Sequence, residues 1–164
     1  MADDWVDFVE EFGPLVYASS WRILKDRQEA EDITQDVFAF AWSQPSDHVR
    51  NMAGWLRQIA VRRSLDRLRQ RRPLVNSELD LQIVDDRTTD ALEVAELEEA
   101  VRTAVAALPD QQSVIFALRY FEEMSNREIA EHLAISTTAV SSSLHAARTA
   151  LASVLTPYIY GEAK

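Results

Sequence analysis

Residues 125–148 read SNREIAEHLAISTTAVSSSLHAAR. Ile129, Ala130 and Leu133 fall on one side of a short predicted helix. Val140, Leu144 and Ala147 form the inner stripe of a second. Ala134-Ile-Ser136 joins them as a three-residue turn, with Ser136 placed to cap the second helix. The small Ala130 and the inward Ile135 suit a close crossing of the two helices. This order reads as a helix-turn-helix, a unit that lays its second helix in the major groove of duplex DNA. An ordinary helical hairpin would share the pattern, so the flanking chain has to support the reading.

Working outward, Leu108-Pro-Asp110 starts a helix whose Val114, Ile115, Leu118 and Tyr120 would brace the motif. Upstream, Leu97, Val101, Ala104, Val105 and Leu108 keep helical spacing until Pro109 ends it. Downstream, helix continues to about residue 155. Residues 73–90 lack periodicity and hold Asp80, Asp85, Asp86 and Asp90, as a linker would. Before them a helix is expected from Met52 to Arg72, stopped by Pro73, and another from Gln28 to Trp42, with a loop around Pro45 between the two. Near the start, Trp5, Phe8, Val9 and Phe12 follow helical spacing. Gly13-Pro14 is expected to interrupt, with Pro14 opening a new turn. The spacing predicts an all-α protein: two small helical domains, residues 1–72 and 93–164, joined by a flexible acidic linker over 73–92.

Composition removes several function classes. The 164 residues include no cysteine, so thiol catalysis, disulfides and thiolate metal sites are excluded. His48, His132 and His145 are too scattered for a helical metal pair. Three glycines supply no phosphate-cradling loop. No apolar run reaches the ~18–20 residues that span a bilayer, and the acidic Met1-Ala-Asp-Asp start is unlike a secretory signal. The expectation is a soluble, cytoplasmic protein, with no membrane insertion, catalytic residue, cofactor or metal.

The formal charge of −10 is unevenly spread. Residues 1–49 carry −8, residues 50–72 carry +7 and residues 73–164 carry −9. The basic segment holds arginines 50, 57, 62, 63, 67, 69, 71 and 72 against Asp66 alone. An acidic protein is repelled by nucleic acid on average, yet such a patch still attracts phosphate. Asp66 stands four residues after Arg62 and three after Arg63, spacings for an ion pair. In the same helix Met52, Trp55, Leu56, Ile59 and Ala60 form one apolar stripe, and Val61, Leu65 and Leu68 another on nearly the opposite side. The preceding helix places Glu29, Asp32, Gln35 and Asp36 on one arc. Its remaining circumference, including Phe38 and Trp42, is apolar and expected inside, leaving an acidic stripe for solvent or a basic partner.

Taken in order, these motifs resemble the extracytoplasmic-function sigma factors of bacterial RNA polymerase. Ala30-Glu-Asp-Ile-Thr-Gln-Asp-Val-Phe38 is similar to the family's region 2.2 pattern, AEDxxQ(D/E)xF. Trp55-Leu-x-x-Ile-Ala60 with Asp66 and Arg69 resembles regions 2.3–2.4. The run from Leu108-Pro through Leu118-Arg-Tyr120, Glu128-Ile-Ala130 and Ser136 to Arg148 and Leu151 resembles region 4. The resemblance implies an alternative sigma factor that binds core polymerase and directs promoter recognition, melting and initiation. Glu29, Asp32, Gln35 and Asp36 would dock on the polymerase clamp helices. Arg50, Asn51, Trp55, Arg57, Arg62, Arg63 and Arg69 would hold the melted −10 strand of promoter DNA. Thr137, Thr138, Ser141, Ser142, His145 and Arg148 would meet the −35 duplex. Family members are often held inactive by an anti-sigma factor wedged between the two domains.

Three features depart from the family pattern, at five positions. Arg62 stands where Asn is common, and Ala134 where the turn usually has Gly. Ser141, Ser143 and Ala146 stand where the recognition helix is usually basic. With about three fewer phosphates neutralised, the salt dependence of duplex binding would flatten by roughly 0.9 per phosphate in log–log slope. That leaves two alternatives open: a helix-turn-helix regulator that never engages polymerase, and a sigma-like module whose second domain binds a regulator.

Overall fold

Asp26 begins the first well-defined junction. Lys25 takes a left-handed backbone (φ 52°) that ends one helix, and the Asp26 carboxylate accepts the Glu29 N–H at 2.9 Å to cap the next. In the computed structural model, which describes residues 2–71 and 89–160, seven helices follow one another: α1 (Ala2–Leu24), α2 (Arg27–Ser43), α3 (Met52–Arg71), α4 (Thr89–Ala107), α5 (Asp110–Tyr120), α6 (Asn126–Leu133) and α7 (Thr137–Tyr160). No strand occurs among the described residues.

Three expectations at the helix ends need correction. α1 runs on past Pro14 without a break. Proline costs the turn one amide donor, but both flanks are held to the same core, Phe8 and Phe12 before it and Val16 and Ile23 after it. α4 already begins at Thr89, so residues 89–92 of the expected linker are helical. The remainder of that linker lies outside the described residues. α7 is also longer than expected, reaching Tyr160.

α1, α2 and α3 pack as a three-helix bundle around Val16, Ile23, Ile33, Val37, Leu56 and Ala60. α5, α6 and α7 pack around Ile115, Leu118, Ile129, Val140 and Leu144, with α4 against α5 and α7. Each of these larger buried aliphatic side chains contributes about 1.5–3 kcal/mol of burial energy. The two opposed apolar stripes of α3 now have a cause. One faces α1 and α2, while α4 and α5 lie against the helix as well, so Leu56, Val61, Leu65 and Leu68 are all buried. The buried residues of both halves form one connected cluster.

Candidate protein and nucleic-acid interfaces

The acidic stripe survives folding intact. Ala30, Ile33, Val37, Phe38 and Ala41 turn α2 into the bundle, and the same helical register leaves Asp32, Gln35 and Asp36 exposed. Asp32 and Asp36 form no ion pair among the described residues. Glu29 is half-buried. Trp42, expected inside, is instead 65% exposed. Trp5 of α1 meets only its edge, at 4.7 Å between centroids. Lying seven residues beyond Gln35, Trp42 extends the acidic stripe with a large apolar ring. Its exposure depends on how far α1 reaches along α2, which periodicity alone does not carry.

α3 presents the basic residues in three environments. Asn51 caps the helix, its Oδ1 accepting the Gly54 N–H at 2.9 Å. Trp55 lies half-buried against Phe40, 6.4 Å between ring centroids, and the Arg63 guanidinium stacks over that Phe40 ring at 5.1 Å. Together they make a mixed aromatic and cationic face of the kind that receives unpaired bases. Arg50 and Arg62 are exposed and carry no ion pair among the described residues.

Arg57 and Arg69 are occupied. Arg57 Nε stands 3.8 Å from Glu122. Arg69 donates to the Ala106 carbonyl at 2.6 Å, to Asp66 at 2.5 Å and to Ser113 Oγ at 2.8 Å, and lies 3.4 Å from Asp110. Asp66 therefore pairs forward with Arg69, not back with Arg62 or Arg63 as its spacing suggested.

The helix-turn-helix forms with close local geometry. Ser125 caps α6 through the Glu128 N–H at 3.1 Å, and Ser136 caps α7 through the Ala139 N–H at 3.0 Å. Ala134 takes the left-handed conformation (φ 55°, ψ 45°), and the Ile135 N–H closes the turn on the Ala130 carbonyl at 3.0 Å. Thr137, Thr138, Ser141, Ser142 and His145 are exposed on α7. Asn126 Nδ2 reaches Ser141 Oγ at 3.4 Å. Arg148, the remaining cation of this face, donates to the Tyr120 hydroxyl through Nε at 2.8 Å and through a second guanidinium nitrogen. Tyr120, expected to brace the motif, does so from the surface, where its hydroxyl holds Arg148.

No helix among the described residues is long and apolar enough to cross a membrane. Residues 8–73 match the family model described as Sigma-70 region 2, and residues 98–151 match that of Sigma-70, region 4. The chain is 30% identical over 163 residues to the ECF RNA polymerase sigma factor SigW of Bacillus subtilis, covering 91% of this chain and 87% of that protein. It is 24% identical over 149 residues to the ECF RNA polymerase sigma factor SigK of Mycolicibacterium vanbaalenii, covering 86% and 76% of the two. Among solved structures, CnrH in complex with the cytosolic domain of CnrY shares the fold at TM-score 0.55 and 20% identity, over 95% of this chain and 90% of that one. The sigma factor RpoE of Bartonella quintana, in complex with the anti-sigma factor NepR, does so at TM-score 0.54 and 19% identity, over 92% and 97%. Both family segments, in order, and a relative of this identity along nearly its whole length place the chain in the ECF family of RNA polymerase sigma factors, the proteins that join core polymerase and direct promoter recognition and transcription initiation.

Proposed function

We propose the following division of labour among its residues. Asp32, Gln35 and Asp36, with Glu29 behind them and Trp42 beside them, dock on the polymerase clamp helices. The arginines of α3 and the Phe40–Trp55–Arg63 face hold the melted −10 strand, stacking bases and neutralising phosphates. The first turns of α7 meet the −35 duplex. The functional domains are residues 1–72 and 93–164, with 73–92 as the connection threaded into polymerase. The protein works in the cytoplasm and makes or breaks no bond itself; catalysis belongs to polymerase. By analogy with RpoE and NepR, its activity is under the control of an anti-sigma protein.

The observation that supports this most directly is the exposed, unpaired Asp32–Asp36 edge of α2 in the same bundle as the arginine-rich α3. Unpaired surface carboxylates of one sign contribute little to folding, but they guide a cationic partner and fix its register. The test is Asp32→Arg with Asp36→Arg in the full chain. Co-purification with core polymerase should fall about 100-fold, corresponding to roughly 2.8 kcal/mol, while the thermal midpoint stays within a few degrees. Undiminished binding would remove α2 as the docking face.

A second reading concerns α7 alone. Its DNA face is built from hydroxyls, and Arg148 is held by Tyr120. Weak −35 reading follows, with duplex affinity resting on short-range interactions. Transcription from a promoter with a scrambled −35 element measures this directly: output within about threefold of the intact promoter supports weak reading, and a loss of tenfold or more refutes it.

A further inference from the structure

Arg148 is the single arginine of α7, which holds no lysine. It falls on the same face of the helix as Thr137 and Ser141, and all three are exposed. It makes no ion pair among the described residues. What holds it is neutral. Nε donates to the Tyr120 hydroxyl at 2.8 Å, and Nη2 donates to the same oxygen. A tyrosine hydroxyl is an uncharged acceptor, so the guanidinium keeps its full charge. Nε and Nη2 lie on one edge of the planar fork. The other edge, between Nη1 and Nη2, still offers two parallel N–H groups, the geometry that grips a phosphate with two bonds.

Tyr120 is itself held from behind. Its ring meets Phe116 at 4.5 Å between centroids, and Phe116 meets Phe121 edge-on at 6.3 Å. Both phenylalanines pack against the core. The Arg148 guanidinium lies 5.6 Å from the tyrosine ring and that of Arg119 lies 5.8 Å from it, so two cations share one aromatic support. Arg119 also makes no ion pair among the described residues. An anion arriving beside the ring is drawn by both charges.

A helix-turn-helix reads base edges with the first residues of its second helix. Arg148 stands roughly 16 Å further along α7 than Thr137, more than the roughly 12 Å width of the major groove. With the first turn of α7 at the bases, Arg148 reaches the rim of the groove, where the phosphates lie. We propose that Tyr120 is a positioning residue: its hydroxyl fixes Arg148 so that the free edge of the guanidinium grips one backbone phosphate flanking the −35 element. That contact anchors α7 on the duplex without reading sequence. A preset arginine gives up less side-chain freedom on binding than a loose one, which counts most on a helix with no second strong cation. The proposal rests on the −35 role given to α7 above.

Titration of the polymerase-bound full chain against a duplex carrying the −35 element alone, at several salt concentrations, tests it. Arg148→Ala should weaken binding about tenfold and flatten the log–log salt slope by roughly 0.9, one phosphate. Tyr120→Phe keeps the ring and its contact with Phe116 but removes the acceptor. It should weaken binding about fivefold with Arg148 present and less than about 1.5-fold once Arg148 is alanine. The loss should be the same on a duplex of scrambled sequence, because a phosphate carries no sequence. A tyrosine that only braced the fold would cost the same in both backgrounds. Equal cost with and without Arg148, no cost, or tighter binding by Tyr120→Phe would each overturn the positioning, the last because the hydroxyl would then be withholding the cation from DNA. A loss confined to the intact −35 sequence would overturn the phosphate assignment. Arg148→Ala without effect would overturn the −35 role of Arg148 and the positioning with it, whereas a costly Arg148→Ala beside an indifferent Tyr120→Phe overturns the positioning alone.

Discussion

α3 and α7 are the two helices assigned to nucleic acid, and they are built on opposite principles. α3 carries its affinity as charge: arginines spaced along a helix with a single acid, two of them engaged by oxygens from the other half of the chain. α7 carries hydroxyls, and its one cation on that face is held by a tyrosine. Charge acts over about 8–10 Å and does not discriminate sequence, so a charged helix binds any polyanion that reaches it, including the chain's own carboxylates. Hydroxyls act only at hydrogen-bonding distance. The strong, indiscriminate surface is therefore the one whose cations the chain partly occupies itself, at Arg57 and Arg69, while the weak, short-range surface is left open.

The largest expected effect is on the charged side of this contrast. Arg62→Ala with Arg63→Ala removes one exposed cation and the one stacked on Phe40. Strand binding by the polymerase-bound protein should weaken about 30-fold, roughly 2 kcal/mol. The log–log salt slope should fall by about 0.7 for each phosphate that is no longer neutralised. A drop in affinity with an unchanged slope would mean that these arginines act through stacking, and α3 would then differ from α7 less than its charge implies.

The smaller expected effect runs the other way. Ser141→Arg with Ala146→Arg places cations on α7, where both native side chains are exposed. Affinity for the −35 duplex should rise about tenfold, with a slope steeper by roughly 0.9 for each phosphate newly engaged. Titration of polymerase-bound protein against duplex at several salt concentrations gives both numbers. No gain would show that α7 does not reach the duplex at these positions, and the contrast with α3 would become one of position instead of chemistry.

Much of this was legible before any coordinates. Helical spacing located α2, α3 and the helix-turn-helix, because burial of one face at a period of 3.6 leaves its mark in every turn. The Asp32–Asp36 stripe was legible for the same reason. The two-sided apolar pattern of α3 was legible, but not how it packs: the covering elements, α4 and α5, are far away in sequence and left no local signal. Glu122 is the sharper case. It meets Ser19 across 103 positions, and nothing in Phe121-Glu-Glu-Met124 distinguishes a buried carboxylate from a solvated turn. Arg57 and Arg69 looked as free as Arg62 because their partners come from the other half. Pro14 misled in the other direction: its local cost is real, yet packing on both flanks outweighs it.

The smallest predicted effect bears on whether α7 is weak through its chemistry or through its presentation. Ala134 adopts φ 55°, a conformation that costs an L-residue roughly 1–2 kcal/mol and glycine almost nothing. Glycine returns part of that advantage, about 0.5–1 kcal/mol, through greater freedom in the unfolded chain. Ala134→Gly should therefore stabilise the protein by about 0.5–1 kcal/mol, raising the thermal midpoint by roughly 1–4 °C. The hydrogen bond from Ile135 to the Ala130 carbonyl already sets the crossing of α6 and α7, so relaxing Ala134 should leave that angle and −35 affinity unchanged. A gain in stability with no gain in duplex binding assigns the weakness of α7 to its missing cations. A severalfold gain in duplex binding would instead mean that the strained turn misdirects the helix, and that hydroxyls are sufficient once they are correctly aimed.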